Sequence, residues 1–185
     1  MNRVKGLAFI GFSDYIEKRL GKSEIIAFAK TLPPDLARIV LEGPVKSSWY
    51  PRELYFLLMD EFARRYGGDN PSQVFRESAA CNAERDLNTV YQFLLKFGYP
   101  GFVVGRAAVI WQNYYEGGRM EVVEKEKNRM TVRVYDDVYP VFMCDLVIGY
   151  GERATQLSGG TDARATHSIC KHRGGPFCEF EIAWK

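Results

Sequence analysis

The stretch HSICKHRGGPFCEFEIAW, residues 167–184, decides the predicted fold. It indicates two strands, 163–171 and 177–184, joined by a glycine-rich turn at 174–176. In the second strand hydrophobic and acidic residues alternate, which is typical of a strand with one buried face. That face holds Cys178, Phe180, Ile182 and Trp184. The chain therefore ends in a predicted β-hairpin that packs one face against a core.

An earlier hairpin is predicted from RMEVVE (119–124) and RMTVRVY (129–135), and a helix that begins at Pro140 separates the two hairpins. Before residue 118, apolar residues recur mostly at helical spacing. This order predicts the α+β class, with a helical layer packed on a twisted antiparallel sheet built from two hairpins. A length of 185 residues suits one domain, with a helical part (1–118) and a part that holds the sheet and a metal site (119–185).

Two segments of the helical part carry more specific predictions. Residues 6–12, GLAFIGF, read as a short buried strand or an apolar arm, and one long helix is expected from Asn70 to about Phe97. The small residues Ala79, Ala80 and Ala83 predict a close helix pair, either within the chain or across a homodimer.

Composition excludes several classes of protein. Net charge is +2, from 25 Lys+Arg against 23 Asp+Glu, and no basic stripe indicates a nucleic-acid partner. No window approaches the roughly 18 apolar residues of a membrane span, and the N-terminal apolar run is too short for a signal peptide. The sequence therefore predicts a cytoplasmic protein. In a reducing compartment, four cysteines indicate metal binding or free thiols.

Four side chains form a candidate metal site. Cys144 lies on the helix between the hairpins, His167 and Cys170 lie on the next strand, and Cys178 begins the last one. Three thiolates and one imidazole suit tetrahedral zinc, and a closed shell of four ligands indicates a structural ion. Two alternatives stay open. His172 could replace His167, or Cys144 and Cys178 could be buried core thiols.

The ending HSICKHRGGPFCEFEIAW resembles the C-terminal signature of the 4-vinyl-reductase (V4R) domain family: a Cys, a glycine turn, then Cys-x-Phe-x-Ile. In V4R sensor domains, zinc is held by a helix Cys, an acidic residue 23 positions later, a Cys three further on and a Cys eight beyond. The same slots here are Cys144, His167, Cys170 and Cys178, with His in place of the carboxylate. The rest of the chain is similar to uncharacterised single-domain myxobacterial proteins of the wider superfamily that contains V4R, TRAPP-subunit and haem–nitric-oxide-binding domains.

The resemblance implies an apolar cavity between helices and sheet. Trp111, Tyr114 and Tyr115 are its predicted wall, with ordinary core packing as the alternative. The leading hypothesis is a zinc-stabilised sensory module that binds a small apolar molecule. The second hypothesis is a scaffold or adaptor like a TRAPP subunit, which acts through protein–protein interfaces.

Catalysis and haem binding are both disfavoured. The sequence contains no Gly-rich nucleotide loop and no nucleophile elbow, so we expect no enzyme activity. Haem binding in the related domains needs a helix histidine, and both histidines of this chain fall in the last hairpin. The pairs Asp60-Glu61 and Asp136-Asp137 are interpreted as solvated surface.

Overall fold

In the computed structural model, which describes residues 2–89, 92–136 and 140–185, helices come first and the main sheet last. Residues 94, 96 and 97 are described by their backbone alone. The elements are β1 (Arg3–Lys5), α1 (Gly6–Leu20), α2 (Lys22–Ala29), α3 (Pro34–Glu42), β2 (Trp49–Pro51), α4 (Arg52–Tyr66), α5 (Pro71–Asn88), α6 (Gln92–Phe97), α7 (Pro100–Val104), α8 (Ala107–Tyr114), β3 (Tyr115–Glu116), β4 (Arg119–Lys125), β5 (Arg129–Tyr135), α9 (Met143–Leu157), β6 (Arg164–Ile169) and β7 (Cys178–Ala183). This arrangement confirms the α+β class.

The main sheet contains both predicted hairpins. Its antiparallel order is β4-β5-β7-β6, so the hairpins join through β5 and β7. Val134 lies opposite Cys178 on the buried face. Arg133 lies opposite Glu179 on the other face, with Nε 2.7 Å from Oε2. The alternation of residues along the last strand is therefore confirmed.

Helices α5 and α9 pack closely together above this sheet. Gly149 of α9 permits the contact, because a Cβ built there would lie 2.2 Å from the backbone oxygen of Arg76 on α5. Ala79 and Ala83 are buried within the chain, and Ala80 is half-buried. The close helix pair is thus intramolecular, and a homodimer is not shown.

Two local predictions are wrong. Residues 6–12 belong to helix α1, because Phe9, Phe12 and Ile16 bury one helical face; a short apolar run cannot by itself distinguish strand from helix. The long helix expected to reach Phe97 stops at Asn88, where Thr89 leaves the helical region with φ −125° and ψ −81°. A separate helix, α6, follows.

The N-terminal helices share an aromatic core. Phe62 of α4 meets Phe12 of α1 and Phe28 of α2 edge to face, with ring centroids 5.3 and 5.5 Å apart. Such pairs contribute about 0.5–1.5 kcal/mol each beyond the area they bury. In the part of the chain that the structure describes, every helix is too short or too polar to cross a bilayer.

Candidate functional site

Three elements bring the four predicted metal ligands together. Cys144 lies in the first turn of α9, His167 lies in β6, Cys170 directly follows β6, and Cys178 begins β7. Their ligand atoms all lie within 4.8 Å of one another. His172, the competing imidazole, is exposed in a 3₁₀ turn and lies outside this group. We call the four residues the Cys₃His cluster.

A β-bulge places two of these ligands on the same side of the sheet. His167 pairs with Phe180, and Ile169 pairs with Glu179, so Ser168 is an extra residue in β6. In a regular strand, residues three apart point to opposite faces, and one extra residue reverses that relation. The bulge therefore lets His167 and Cys170 both face Cys178.

The turn of the last hairpin fixes Cys170. Gly174 adopts a left-handed conformation with φ 88°, and the Gly175 N–H donates to the Cys170 carbonyl at 2.9 Å. A Cβ at Gly175 would also lie only 2.9 Å from that carbonyl oxygen. The two glycines are therefore needed for the chain to reverse this tightly beside the cluster.

The cluster favours an ionised thiol at Cys178. The Cys144 thiol, with its Sγ 3.8 Å away, lowers the pKa of Cys178 to about 5. The Lys171 backbone N–H, 3.4 Å from the same sulfur, and His167 act in the same direction, while burial opposes them. Because the thiolate is the form that ligates metal, Cys178 is prepared for this role.

The cluster is a compact and buried set of donor atoms. Cys144, Cys170 and Cys178 are 5%, 7% and 1% exposed. The His167 ring stacks on Phe180 with centroids 4.5 Å apart, and its buried Nε2 has no hydrogen-bond partner among the described residues. Buried polar atoms normally have partners, so the orphaned nitrogen is an observation that fits a metal ligand. Three thiols and one imidazole suit a soft ion in tetrahedral geometry.

A separate cavity of about 100 Å³ lies between α5, α8, α9 and the sheet. Trp111, Tyr114 and Tyr115, the predicted ligand wall, are among its lining residues. Trp111 and Tyr115 contact each other with ring centroids 4.6 Å apart. Most of the remaining wall is aliphatic or aromatic: Val103, Val104, Ile110, Val132, Leu146 and Ile182 belong to it.

Sequence reasoning missed a buried polar network beside this cavity. Asp86 of α5 is fully buried and accepts hydrogen bonds from Tyr114 at 2.5 Å and Tyr150 at 3.2 Å. Arg85 completes it, 3.1 Å from Asp86 Oδ1 and 3.0 Å from the Tyr114 hydroxyl. These residues come from three helices far apart in the chain, so no local pattern connects them.

A buried ion pair lies near the cluster. Arg52 Nη1 is 2.6 Å from Asp136 Oδ2, with side chains 1% and 2% exposed. The backbone of Lys171 contacts Cys178, and its ammonium group donates a hydrogen bond to the Asp136 carbonyl at 3.2 Å. The interpretation of Asp136 as solvated surface is therefore wrong, and Asp137 lies outside the described residues.

Comparison with known proteins identifies the fold. No family model and no curated protein matches the sequence. Among solved structures, the chain is similar to an H-NOX protein from Shewanella oneidensis in the Fe(II)NO ligation state, with TM-score 0.75 and 17% identity over 98% of this chain and 99% of that one. An unliganded Fe(II) H-NOX protein from K. algicida gives TM-score 0.71 and 14% identity over 98% and 96%. The chain therefore has the H-NOX fold.

These neighbours correct the family assignment and what it implied. The identification as a V4R or TRAPP-like domain is wrong, because its specific motif covers only residues 167–184, whereas the H-NOX likeness extends over 98% of the chain. The predictions of a zinc-stabilised module that binds an apolar ligand and of a TRAPP-like adaptor depended on that assignment, and they are wrong for the same reason. Structural zinc as the cofactor is also wrong on this comparison, since the similar structures are described as Fe(II) proteins, and one is described by its haem.

The residues of this chain do not fit a haem. The chain has two histidines, and neither lines the cavity. Burial raises the pKa values of Tyr55, Tyr114 and Tyr115 above their ordinary range, which opposes a phenolate ligand. Among the described residues that line the cavity there is no lysine or arginine, so haem propionates would lack a cation. A cavity of about 150 Å³ holds benzene, and this cavity of about 100 Å³ is far too small for a porphyrin.

Proposed function

We propose that this chain is a haem-independent sensory domain of the H-NOX fold, and that its responsive centre is the Cys₃His cluster, which binds one thiophilic metal ion. The observation that carries the proposal is the convergence of Cys144, His167, Cys170 and Cys178, whose ligand atoms lie within 4.8 Å of one another. Four soft donors select a thiophilic ion over magnesium or calcium, which prefer oxygen ligands.

The position of the cluster supports a sensory role. An ion bound there would join α9, through Cys144, to β6 and β7 of the sheet. The neighbouring Asp145 pairs with Arg76 of α5, with Nε 2.7 Å from Oδ1. Loss or gain of the ion would therefore act on the packed pair α5 and α9 and would couple metal binding to the packing of these helices.

The proposal includes no catalytic step. The cluster offers an ion four protein ligands, which leaves no open position for a substrate. A site of three metal-binding thiols needs reduced cysteines, so the proposal places the protein in a reducing compartment such as the cytoplasm. Trp111, Tyr114 and Tyr115 remain a proposed ligand wall, for a molecule smaller than benzene, such as CO or NO, the diatomic gases of the similar H-NOX structures.

Cobalt titration of the metal-free, reduced protein tests the centre. We expect one equivalent of Co(II) to give thiolate charge-transfer bands and the strong visible bands of a tetrahedral site. Cys178→Ser should abolish or strongly weaken these bands, because it removes a buried ligand. Cys81→Ser is the matched control and should keep them, since Cys81 lies on α5 outside the cluster. Equal spectra from both variants would refute the assignment.

Hydrogen exchange tests the sensory part of the proposal. Metal addition should slow hydrogen exchange of the α9 amides in the wild type and leave their exchange in Cys178→Ser unchanged. The amides of helix α2, which is remote from the cluster, should not respond in either protein. A bound ion that leaves α9 exchange unchanged would mean a metal site without coupling. A Soret band in the purified protein would instead support a haem-based gas sensor.

A further inference from the structure

A second site lies between α7 and the turn that joins β4 to β5. It is an open groove of about 750 Å³, within the range of about 300–1,000 Å³ that is usual for small-molecule sites. Met130 and Trp184, both nearly buried, are among its lining residues. The groove is separate from the Cys₃His cluster and from the cavity, and we call it the basic groove.

Positive charge dominates the basic groove. Arg106, Lys125 and Lys127 line it, all three are exposed, and no ion pair to any of them is present in the described part of the chain. Its one acidic residue, Glu126, is neutralised by Arg129, whose Nη2 lies 2.5 Å from Glu126 Oε1. Three cations around one depression therefore favour an anion.

Aromatic surface lies beside these cations. Tyr99 is 66% exposed, and its centroid is 6.5 Å from that of Phe102. The Arg106 guanidinium covers the Phe102 ring at 4.9 Å, which leaves the Tyr99 ring as the available stacking face. An exposed aromatic ring next to unpaired cations is the combination that recognises a base together with its phosphates.

Two glycines lie beneath this wall. A Cβ at Gly101 would lie 3.1 Å from the Tyr99 ring, and one at Gly105 would lie 3.7 Å from the Lys125 ammonium. Tyr99 and Lys125 therefore lie directly over glycine backbone at the two ends of α7, with the ring and the charge on the same wall.

From these contacts we infer that the basic groove binds a free nucleotide, with the phosphates at Lys125, Lys127 and Arg106 and the base on Tyr99. The inference does not depend on the metal centre. Pyrophosphate alone would satisfy the cations but not the ring, and a nucleoside alone would satisfy the ring but not the cations.

Calorimetric titration with ATP, GTP, pyrophosphate and adenosine tests this inference on the full chain. A nucleotide should bind more tightly than pyrophosphate and far more tightly than adenosine. Tyr99→Ala should weaken nucleotide binding at least about fivefold, as expected for the loss of one stacked base. It should leave pyrophosphate binding unchanged.

Charge reversal supplies the matched control. Lys125→Glu with Lys127→Glu should weaken binding more than about tenfold. Lys30→Glu with Lys46→Glu makes the same change in net charge at exposed positions outside the groove and should have little effect. Unchanged melting temperatures and circular dichroism spectra would verify the folding of each variant. Absence of binding, equal losses from both double variants, or pyrophosphate binding as tight as ATP would overturn the inference.

Discussion

At the scale of single residues, the Arg52–Asp136 pair is a strongly constrained interaction. Both side chains are almost fully buried, and Arg52 also donates to the carbonyls of Glu116 and Gly117 at 3.4 Å. Its guanidinium lies 5.3 Å from the Tyr115 ring centroid. The pair therefore joins the start of α4 to the end of β5, close to the wall of the cavity.

Removal of one partner should be costly. We expect Arg52→Met to lower the free energy of unfolding by about 3–5 kcal/mol, because Asp136 would be left as a buried, uncompensated charge. Arg52→Met combined with Asp136→Leu should recover most of that loss, since a well-packed apolar pair can replace a buried ion pair. Urea denaturation measures all three proteins.

Arg38→Met is the control for this comparison. It breaks an exposed pair with Asp35 and should cost less than about 1 kcal/mol. If the Arg52 single variant were as stable as the Arg38 variant, the buried pair would not be a determinant of stability.

Residue types alone indicated the four residues of the Cys₃His cluster, which lie together, but not the buried polar groups. Cysteine and histidine are few in this chain, so their spacing carries information. Asp86, Arg85 and Asp136 are ordinary charged residues in sequence, and only tertiary packing makes them buried partners. The signal available in advance was weak: Asp86 lies among small and apolar residues of α5 rather than on a uniformly polar face.

At the scale of elements, the bulge in β6 shows that the spacing of two residues in sequence does not determine which side of the sheet they face. The three-residue spacing of His167 and Cys170 indicates opposite faces in a regular strand, and the extra residue Ser168 reverses this. The hairpin itself was predictable from alternation and glycines. The bulge was not, because it depends on pairing with β7.

The packing of α5 on α9 depends on one glycine. We expect Gly149→Ala to lower the free energy of unfolding by about 1–3 kcal/mol or more, because its Cβ would lie 2.2 Å from the backbone oxygen of Arg76 and the helices would have to separate. Thermal or urea denaturation measures the loss.

Gly151→Ala is the matched control on the same helix. Its Cβ would meet the flexible end of Ile182 at 2.8 Å, which can rotate away, and alanine favours a helix more than glycine. Gly151→Ala should therefore lower the free energy of unfolding by clearly less than Gly149→Ala. Equal costs for both substitutions would show that α5 and α9 adapt easily, which would weaken the role given to α9 in signalling.

At the scale of the whole molecule, the helical layer and antiparallel sheet could be predicted, but the sequence favoured the wrong member of the superfamily that contains V4R and haem–nitric-oxide-binding domains. The V4R resemblance was specific only at the last hairpin, whereas the identity of the fold depends on how nine described helices and two sheets are arranged. A shared fold does not imply a shared cofactor. The fold is shared with H-NOX proteins, one of which is described by its haem, and the described residues that line the cavity of this chain lack the imidazole, the cations and the volume that a haem needs.

Native mass spectrometry of the protein, purified without added metal and sprayed from a reducing volatile buffer, tests the central claim most directly. We expect a mass that exceeds the 185-residue chain by one metal ion and by no porphyrin. Cys178→Ser should lose that ion, and Cys81→Ser should retain it. A wild-type mass equal to the bare chain, or to the chain plus one haem, would contradict the account.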